Sequence, residues 1–310
     1  MADFRPTALQ MCPFSDYLES GLRARLLLVP WFELGTAEQA EWLAARAGTV
    51  RAVITAGQIG CGSALMQALP ALQMICVNGV GLDKVDTELA RRRGIRVTTT
   101  PGLLADDVAD LAVGLIIALL RDIPAADAYV RAGHWPRGER PLTRQVTGRR
   151  FGIVGLGQIG AALAARLRAF GPVAYTGPRP KDVPYPFHAD VLALARACDV
   201  LAITCPANAA THHLINAPVL AALGADGYLI NVARGAVVDE GALVTALAAG
   251  ALAGAALDVY ENEPHVPAAL RARDNVVLTP HMASATVETR RRMADVILAH
   301  LDRLATDGFG

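Results

Sequence analysis

The chain has 310 residues, 53% hydrophobic and 19% charged, and its 29 basic side chains balance its 29 acidic ones. That length exceeds one ordinary core and fits two domains of roughly 100 to 200 residues with a cleft between them, while the apolar content excludes a disordered chain. Zero net charge excludes a nucleic-acid binder that works by global electrostatics, which leaves a small molecule as the expected partner.

The cysteines at 12, 61, 76, 198 and 205 are odd in number, dispersed and without metal-ligand spacing, a usage that suits a reduced, cytoplasmic setting. No basic region followed by an apolar stretch opens the sequence, so no secretion signal is read there. The apolar run from Leu111 to Leu120 is far short of the ~20 residues that span a membrane, and it reads as a buried helix.

From Arg25 to Val97, short apolar runs (Leu26 to Val29, Val53 to Thr55, Met74 to Val77, Ile95 to Val97) alternate with segments at helical spacing. That alternation predicts parallel strands with crossover helices. Asp106 and Asp107 are natural helix starters, and Val108, Leu111, Ala112, Leu115, Ile116 and Leu119 repeat as the inner stripe of a long core helix. An irregular stretch rich in Gly, Pro and Arg follows, from Gly133 to Gly148. A more regular series then predicts strands over Arg150 to Val154, Val173 to Tyr175, Val200 to Thr204, Tyr228 to Asn231, Ala255 to Asp258 and Val276 to Leu278. Thr286 to Ala305 reads as an amphipathic helix that crosses back onto the first lobe.

Gly155, Leu156, Gly157, Gln158, Ile159 and Gly160 form a Gly-x-Gly-x-x-Gly pattern between an apolar strand and an alanine-rich helix. In that context Gly155 permits a tight turn, Gly157 lets the backbone approach a pyrophosphate, and Gly160 lets helix and strand pack closely. The helix start adds N–H donors and a favourable dipole. The alternative is a glycine turn kept for packing alone. An NAD site carries an acidic residue about 20 residues on, at the end of the second strand, and none stands there. Thr176, Gly177, Arg179 and Lys181 occupy that region instead. A guanidinium can fork two hydrogen bonds onto a ribose phosphate that a carboxylate would repel. NADP(H) is therefore expected in preference, with NAD(H) use left open; the alternative for Arg179 and Lys181 is solvated loop charge. The expected fold is α/β, two Rossmann-like or flavodoxin-like doubly wound parallel-sheet domains with an active-site cleft between them. Residues 1–98 and 286–310 would form the substrate-binding domain and 99–285 the nucleotide-binding domain.

Arg234, Glu263 and His281 each follow a predicted strand, where an open parallel sheet places its ligand crevice. Reduction of a 2-oxoacid needs a cation for the carboxylate and ketone, a proton donor for the oxygen, and a hydride. Arginine suits the first task, since it stays protonated and reaches two oxygens at once. Histidine suits the second, and a glutamate beside it would stabilise the imidazolium and orient the ring. Each has a plainer alternative: Arg234 capping a helix or pairing with Glu240, Glu263 at the surface, His281 bonded to backbone. The neighbours His212 and His213 are assigned no metal, because adjacent side chains are expected to point apart and no carboxylate partner is evident.

These motifs resemble the D-isomer-specific 2-hydroxyacid dehydrogenase family, and within it the NADPH-preferring glyoxylate and hydroxypyruvate reductases. The likeness runs from about Asn78 to His300 and includes Val80 to Asp86, Asp106 to Gly114, the glycine loop, Asn231 to Gly235, Asp258 to Pro264, and Thr279 to His281. The resemblance implies that the backbone N–H groups of Val80 and Gly81 hold a substrate carboxylate, that Arg234 and His281 contact its oxo group, and that Glu263 partners the histidine. It also implies that Cys205 and Pro206 flank the adenosine with Thr211 nearby, that Val232 and Ala233 lie under the nicotinamide, and that Asp258 meets its carboxamide, with a strand-end cap as Asp258's alternative. Family members are typically homodimers, and Trp135 matches a position that reaches the neighbouring subunit's pocket; its alternative is packing within a loop. The sequence departs from the common pattern at Ala283, where a glycine is usual and an added methyl would crowd the nicotinamide, and in the placement of Arg179.

The implied activity is NADPH-dependent reduction of glyoxylate or hydroxypyruvate to a D-2-hydroxyacid. Reduction of 2-ketogluconate or phenylpyruvate is the alternative within the family. Nucleotide-sensing corepressors share this fold and triad, but a chain barely longer than the catalytic unit argues against them. Phosphoglycerate dehydrogenase is disfavoured because the cofactor loop does not suit NAD and no room remains for a regulatory domain.

Overall fold

The structure is a computed structural model that describes residues 5–307. It divides into two compact units, one of Met1–Leu103 with Thr286–Gly310 and one of Leu104–Ala285. In the first unit, strands β1 (Thr7–Gln10), β2 (Leu27–Pro30), β3 (Val50–Ala56), β4 (Met74–Asn78) and β5 (Arg96–Thr98) alternate with helices α1 (Asp16–Arg25), α2 (Thr36–Arg46), α3 (Ser63–Ala68) and α4 (Thr87–Arg92). The sheet is parallel in the order β2-β1-β3-β4-β5. This is the flavodoxin-like arrangement, whose strand order reverses between β1 and β3.

The second unit begins with α5 (Ala105–Leu120) and α6 (Ile123–Arg131) and continues through β6 (Phe151–Val154), α7 (Gln158–Leu167), β7 (Val173–Thr176), β8 (Phe187–His188), α8 (Val191–Ala197) and β9 (Val200–Ile203). It is completed by α9 (Ala217–Leu223), β10 (Tyr228–Asn231), α10 (Glu240–Ala248), β11 (Gly254–Leu257), α11 (Ala268–Arg271) and β12 (Val276–Leu278). Its parallel sheet runs β12-β11-β10-β9-β6-β7-β8. That is the Rossmann order with one added strand, and its switch point lies between β6 and β9. The central strands β6, β9, β10 and β11 are buried throughout, as a parallel sheet covered on both faces requires. Helix α12 (Val287–Asp307) then returns the chain to the first unit, where Ala294, Ile297 and Leu301 pack with Ala52, Ile54, Met74 and Cys76.

Two strands escape the apolar-run reading. β1 has only four residues, with polar Thr7 and Gln10 at its ends, and Gln10 is nonetheless buried because its amide donates to Cys12 O at 2.9 Å and Glu19 at 2.8 Å. β8 is a two-residue edge. Asp106 and Asp107 lie inside the first turn of α5 after an N-cap at Leu104, so they complement the helix dipole rather than cap it. No helix among the described residues is long and apolar enough to cross a membrane.

The close seat of α7 on β6 depends on Gly160, where a Cβ would lie 2.2 Å from Gly155 O and 2.9 Å from the Thr204 hydroxyl. Gly157 has nothing within 4 Å of such a methyl. Gly160→Ala should therefore cost about 1–3 kcal/mol in urea unfolding, while Gly157→Ala should leave the midpoint within experimental error; equal losses would contradict this packing.

Candidate active site

All three candidate catalytic side chains belong to the second unit and stand beyond the carboxyl ends of neighbouring strands. After β10, the buried Asn231 amide accepts from Ala233 N–H at 3.1 Å and donates to Arg234 O at 2.9 Å, which closes the turn that presents Arg234. The Arg234 guanidinium donates to Ala233 O at 2.7 Å. At the next residue, a Cβ on Gly235 would fall 1.9 Å from the Tyr260 carbonyl carbon. Only glycine lets this turn rest directly on the backbone of the turn that carries Glu263.

After β11, Tyr260 N–H donates to Glu263 Oε1 at 3.0 Å. The buried Tyr260 hydroxyl lies 3.0 Å from Leu257 O and 2.9 Å from Thr279 O, linking this turn to the one after β12. Burial, and then the charge of Asp258, push its phenol up to about 12, so it stays a neutral donor. The other Glu263 oxygen, Oε2, lies 2.6 Å from His281 Nδ1. Burial raises the Glu263 carboxyl, but the hydrogen bond and charge of His281, the Tyr260 N–H and the charge of Arg234 outweigh it, so the net shift is downward. Glu263 is an anion at neutral pH, and His281 Nε2 is left as the ring nitrogen that can face a substrate.

His281 has a left-handed backbone, φ 51°, which is unusual for a residue other than glycine. Its N–H donates to Asp258 O at 2.8 Å. Asp258, fully buried, takes the Thr279 hydroxyl at 2.6 Å and the N–H groups of Met282 and Ala283 at 2.9 and 3.0 Å. These are the contacts of a strand-end clasp around the histidine turn. The Ala283 methyl joins the apolar cluster that includes Val232 and Ala256.

The expectation for His212 and His213 is corrected. Their rings stack with centroids 4.0 Å apart, because His213 adopts φ 48° and turns its side chain alongside its neighbour's. His213 also has a carboxylate partner, Glu261, at 2.8 Å. Among the described residues no group of His, Cys, Asp and Glu is arranged to hold a metal. Glu240 does not pair with Arg234 as a sequence alternative allowed; its carboxylate takes Glu261 N–H at 3.1 Å and its own N–H reaches Glu261 at 3.2 Å.

A cavity of about 580 Å³ opens at the switch point. Its lining brings together Gly155, Leu156, Gly157, Thr176, Gly177, Arg179, Lys181, Cys205, Pro206 and Thr211, all expected from sequence. Gln158, Ile159, Val232, Ala233, Asp258, His281 and Ala283 are not part of that lining. Gly155 has φ 93° and lies against Cys205, where a Cβ would approach to 2.7 Å. Helix α7 has no side-chain cap, so the first N–H groups after Gly157 face the open space beside that glycine. This cradle fits a pyrophosphate, and the apolar walls fit an adenosine. Lys181 donates from Nζ to Leu156 O at 2.5 Å, whereas Arg179 is exposed and has no hydrogen-bond or ion-pair partner among the described residues. Val191, Asn208 and Leu214 also line the cavity and were missed, since nothing in their spacing marks them. The hydroxyl of Thr211 donates to Pro206 O at 2.7 Å and accepts from Asn208 N–H at 2.9 Å, which fixes the wall they share.

In the first unit, Val80 and Gly81 follow β4, and their N–H groups have no acceptor among the described residues. Trp135 lies on a 3-10 turn, Trp135–Arg137, with 66% of its surface exposed.

Because its carboxyl is held low, Glu263 contributes stability that is complete above the ordinary carboxylate value of about 4.3 and is lost as pH falls through the lower folded value. Glu263→Gln should therefore lower Tm at pH 7 and flatten the fall in Tm below about pH 4. A wild-type acid limb in the variant would show that the pair contributes nothing to stability.

Comparison with known proteins agrees with this fold. The family described as D-isomer specific 2-hydroxyacid dehydrogenase, NAD binding domain, matches residues 113–283. A glyoxylate/hydroxypyruvate reductase A of Arabidopsis thaliana is 45% identical over 296 residues, 95% of this chain and 94% of that one. A 2-ketogluconate reductase of Gluconobacter oxydans is 43% identical over 98% of this chain and 96% of its own. The crystal structure of an NADPH-dependent glyoxylate/hydroxypyruvate reductase from Sinorhizobium meliloti, in complex with NADP and malonate, superposes with a TM-score of 0.89 at 39% identity, covering 98% of this chain and 95% of that one. With two parallel α/β sheets, a glycine-loop cavity and relatives of this similarity across nearly its whole length, the chain belongs to the D-isomer-specific 2-hydroxyacid dehydrogenase family of nicotinamide-dependent oxidoreductases.

Proposed function

We propose that the protein reduces small 2-oxoacids, glyoxylate and hydroxypyruvate among them, to D-2-hydroxyacids, with NADPH as preferred cofactor. The single observation that carries the chemistry is the 2.6 Å pair between His281 and an ionised Glu263. In this reading the N–H groups of Val80 and Gly81 bind the substrate carboxylate. Arg234 orients the acid and draws electron density toward the ketone oxygen. His281 holds a proton on Nε2 and gives it to that oxygen, while Glu263 keeps the ring oriented and offsets the imidazolium charge. The bound nicotinamide cofactor supplies the hydride. The exposed Trp135 would meet a second copy of the chain in a homodimer.

Preference for NADPH is supported by the cavity lining, which holds Arg179 and Lys181 and no carboxylate. A ribose phosphate would gain charge-assisted bonds there, whereas a ribose diol would lack the usual acidic acceptor. Initial rates with glyoxylate and hydroxypyruvate, each with NADPH and NADH, test the reading directly. Turnover below about 0.01 per second with every combination, against about 10 per second for a typical enzyme, would refute it.

His281→Ala should lower kcat by about 10²–10⁴-fold and leave NADPH affinity nearly intact; unchanged turnover removes the histidine from the mechanism. Arg179→Ala should raise the KM for NADPH by about tenfold, the loss of one charge-assisted contact, with a smaller effect on NADH. Equal losses for both cofactors would place the phosphate elsewhere.

A further inference from the structure

The first unit carries an arginine that none of these roles uses. Arg290 lies in the first turn of α12, in line with Ala294, Ile297 and Leu301, the stripe that packs on the sheet. One turn before that core begins, the stripe presents a guanidinium instead of a methyl group. The charge of Arg290 acts on the thiol of Cys12, just beyond β1, and the Cys12 thiol also contacts the backbone of Ala56 at the end of β3. β1 and β3 flank the switch point of this sheet, the place where open α/β sheets take their ligands.

Among the described residues nothing neutralises this cation. Arg290 is half-buried, and its guanidinium has no hydrogen-bond or ion-pair partner among the described residues. Cys12 offers no counter-charge, since burial pushes its thiol up to about 11. Glu19, the carboxylate that also acts on Cys12, is committed to Phe14 N–H, Gln10 and Arg23. Removing a guanidinium from water without a partner is costly, and burial lowers its pKa.

A second unsatisfied group stands in the same row. Sheet register aligns Ile54 with Cys76 and Ala56 with Asn78. Alternation puts Asn78 on the same face as Cys76, the face that α12 covers. Asn78 is 9% exposed, and its side-chain oxygen is buried with no hydrogen-bond partner. It directly precedes Gly79 and the free N–H groups of Val80 and Gly81.

We propose that Arg290, together with Asn78, is a specificity-determining subsite that recognises an oxygen-bearing tail, hydroxyl or carboxylate, on the carbon beyond the ketone of a 2-oxoacid. This rests on the reading that Val80 and Gly81 hold the carboxylate of that acid. The subsite separates tailed acids from glyoxylate, which has no carbon there. It acts through binding, so its loss appears in KM more than in kcat.

The test is the ratio of kcat/KM for a tailed acid to that for glyoxylate, in wild type and in Arg290→Met, which keeps most of the apolar stem. Hydroxypyruvate and oxaloacetate supply the hydroxyl and carboxylate arms. The ratio should fall at least tenfold for one of them, mainly through KM, and Arg290→Lys should restore part of it. A ratio within twofold of wild type for both acids overturns the proposal, whatever happens to the absolute rates. A measurement on the unaltered chain stands beside it, in case the variant does not fold: calorimetric titration should show D-glycerate binding at least tenfold more tightly than glycolate. Equal affinities overturn the subsite. If the unaltered chain reduces none of these acids, the catalytic reading falls, and equal affinities for D-glycerate and glycolate would still overturn the subsite separately.

Discussion

The short contact between His281 and Glu263 is the constraint around which the carboxyl end of the second sheet is organised. A histidine in a left-handed backbone conformation does not stay there unaided, because the Cβ crowding costs roughly 1–2 kcal/mol. Asp258 meets that cost by gathering donors from three residues of the same turn while its own carbonyl accepts the His281 N–H. The buried carboxylate gains the hydrogen-bond donors that burial demands, and the histidine gains a fixed direction. Tyr260 then ties the turn of Glu263 to that of His281, and Gly235 seats the Arg234 turn on Tyr260 itself. Three strand ends thereby act as one rigid support for an imidazole, its carboxylate partner and a guanidinium, and rigid placement of this kind is what positional catalysis demands.

The same logic of close backbone approach shapes the nucleotide cavity, with a different purpose at each glycine. Gly155 and Gly160 are filled in by the fold, since neighbouring backbone or side-chain atoms occupy the space a methyl would need. Gly157 is left open, and the helix behind it offers uncapped N–H groups toward that opening. A loop that is tightly packed on two sides and bare on the third is already organised before any dinucleotide arrives. Little ordering entropy then remains to be lost on binding.

Much of this was legible in the sequence where the signal is local. The glycine spacing, the apolar strand runs and the positions of Arg234, Glu263 and His281 just past strands are all properties of a few adjacent residues. β10 and β12 match their predicted bounds. What could not be read depends on backbone meeting backbone across tens of residues. Asn231 as the lock on the Arg234 turn, Tyr260 as a bridge and Gly235 as a contact point become visible only when the turns are assembled. The histidine pair at 212 and 213 was misjudged because the usual divergence of neighbouring side chains presumes an ordinary backbone, and His213 departs from one. β1 was overlooked because half of its four residues are polar, with Gln10 buried only through hydrogen bonds to Cys12 and Glu19.

The return of α12 to the first unit has a consequence for how the molecule comes into being. The sheet surface formed by Ala52, Ile54, Met74 and Cys76 shares its cluster with Leu18 and Leu22 of α1 and Leu26 just after it, but the rest of its cover, from α12, follows in sequence only after the entire second unit. During synthesis, this apolar surface emerges from the ribosome more than 200 residues ahead of the helix that shields it. At about 5–20 residues per second, it lacks the α12 cover for some ten seconds or longer, time in which chaperones or premature association can act on it. The second unit, contiguous in sequence, has no such wait and is free to fold first, leaving the older half of the chain to close last.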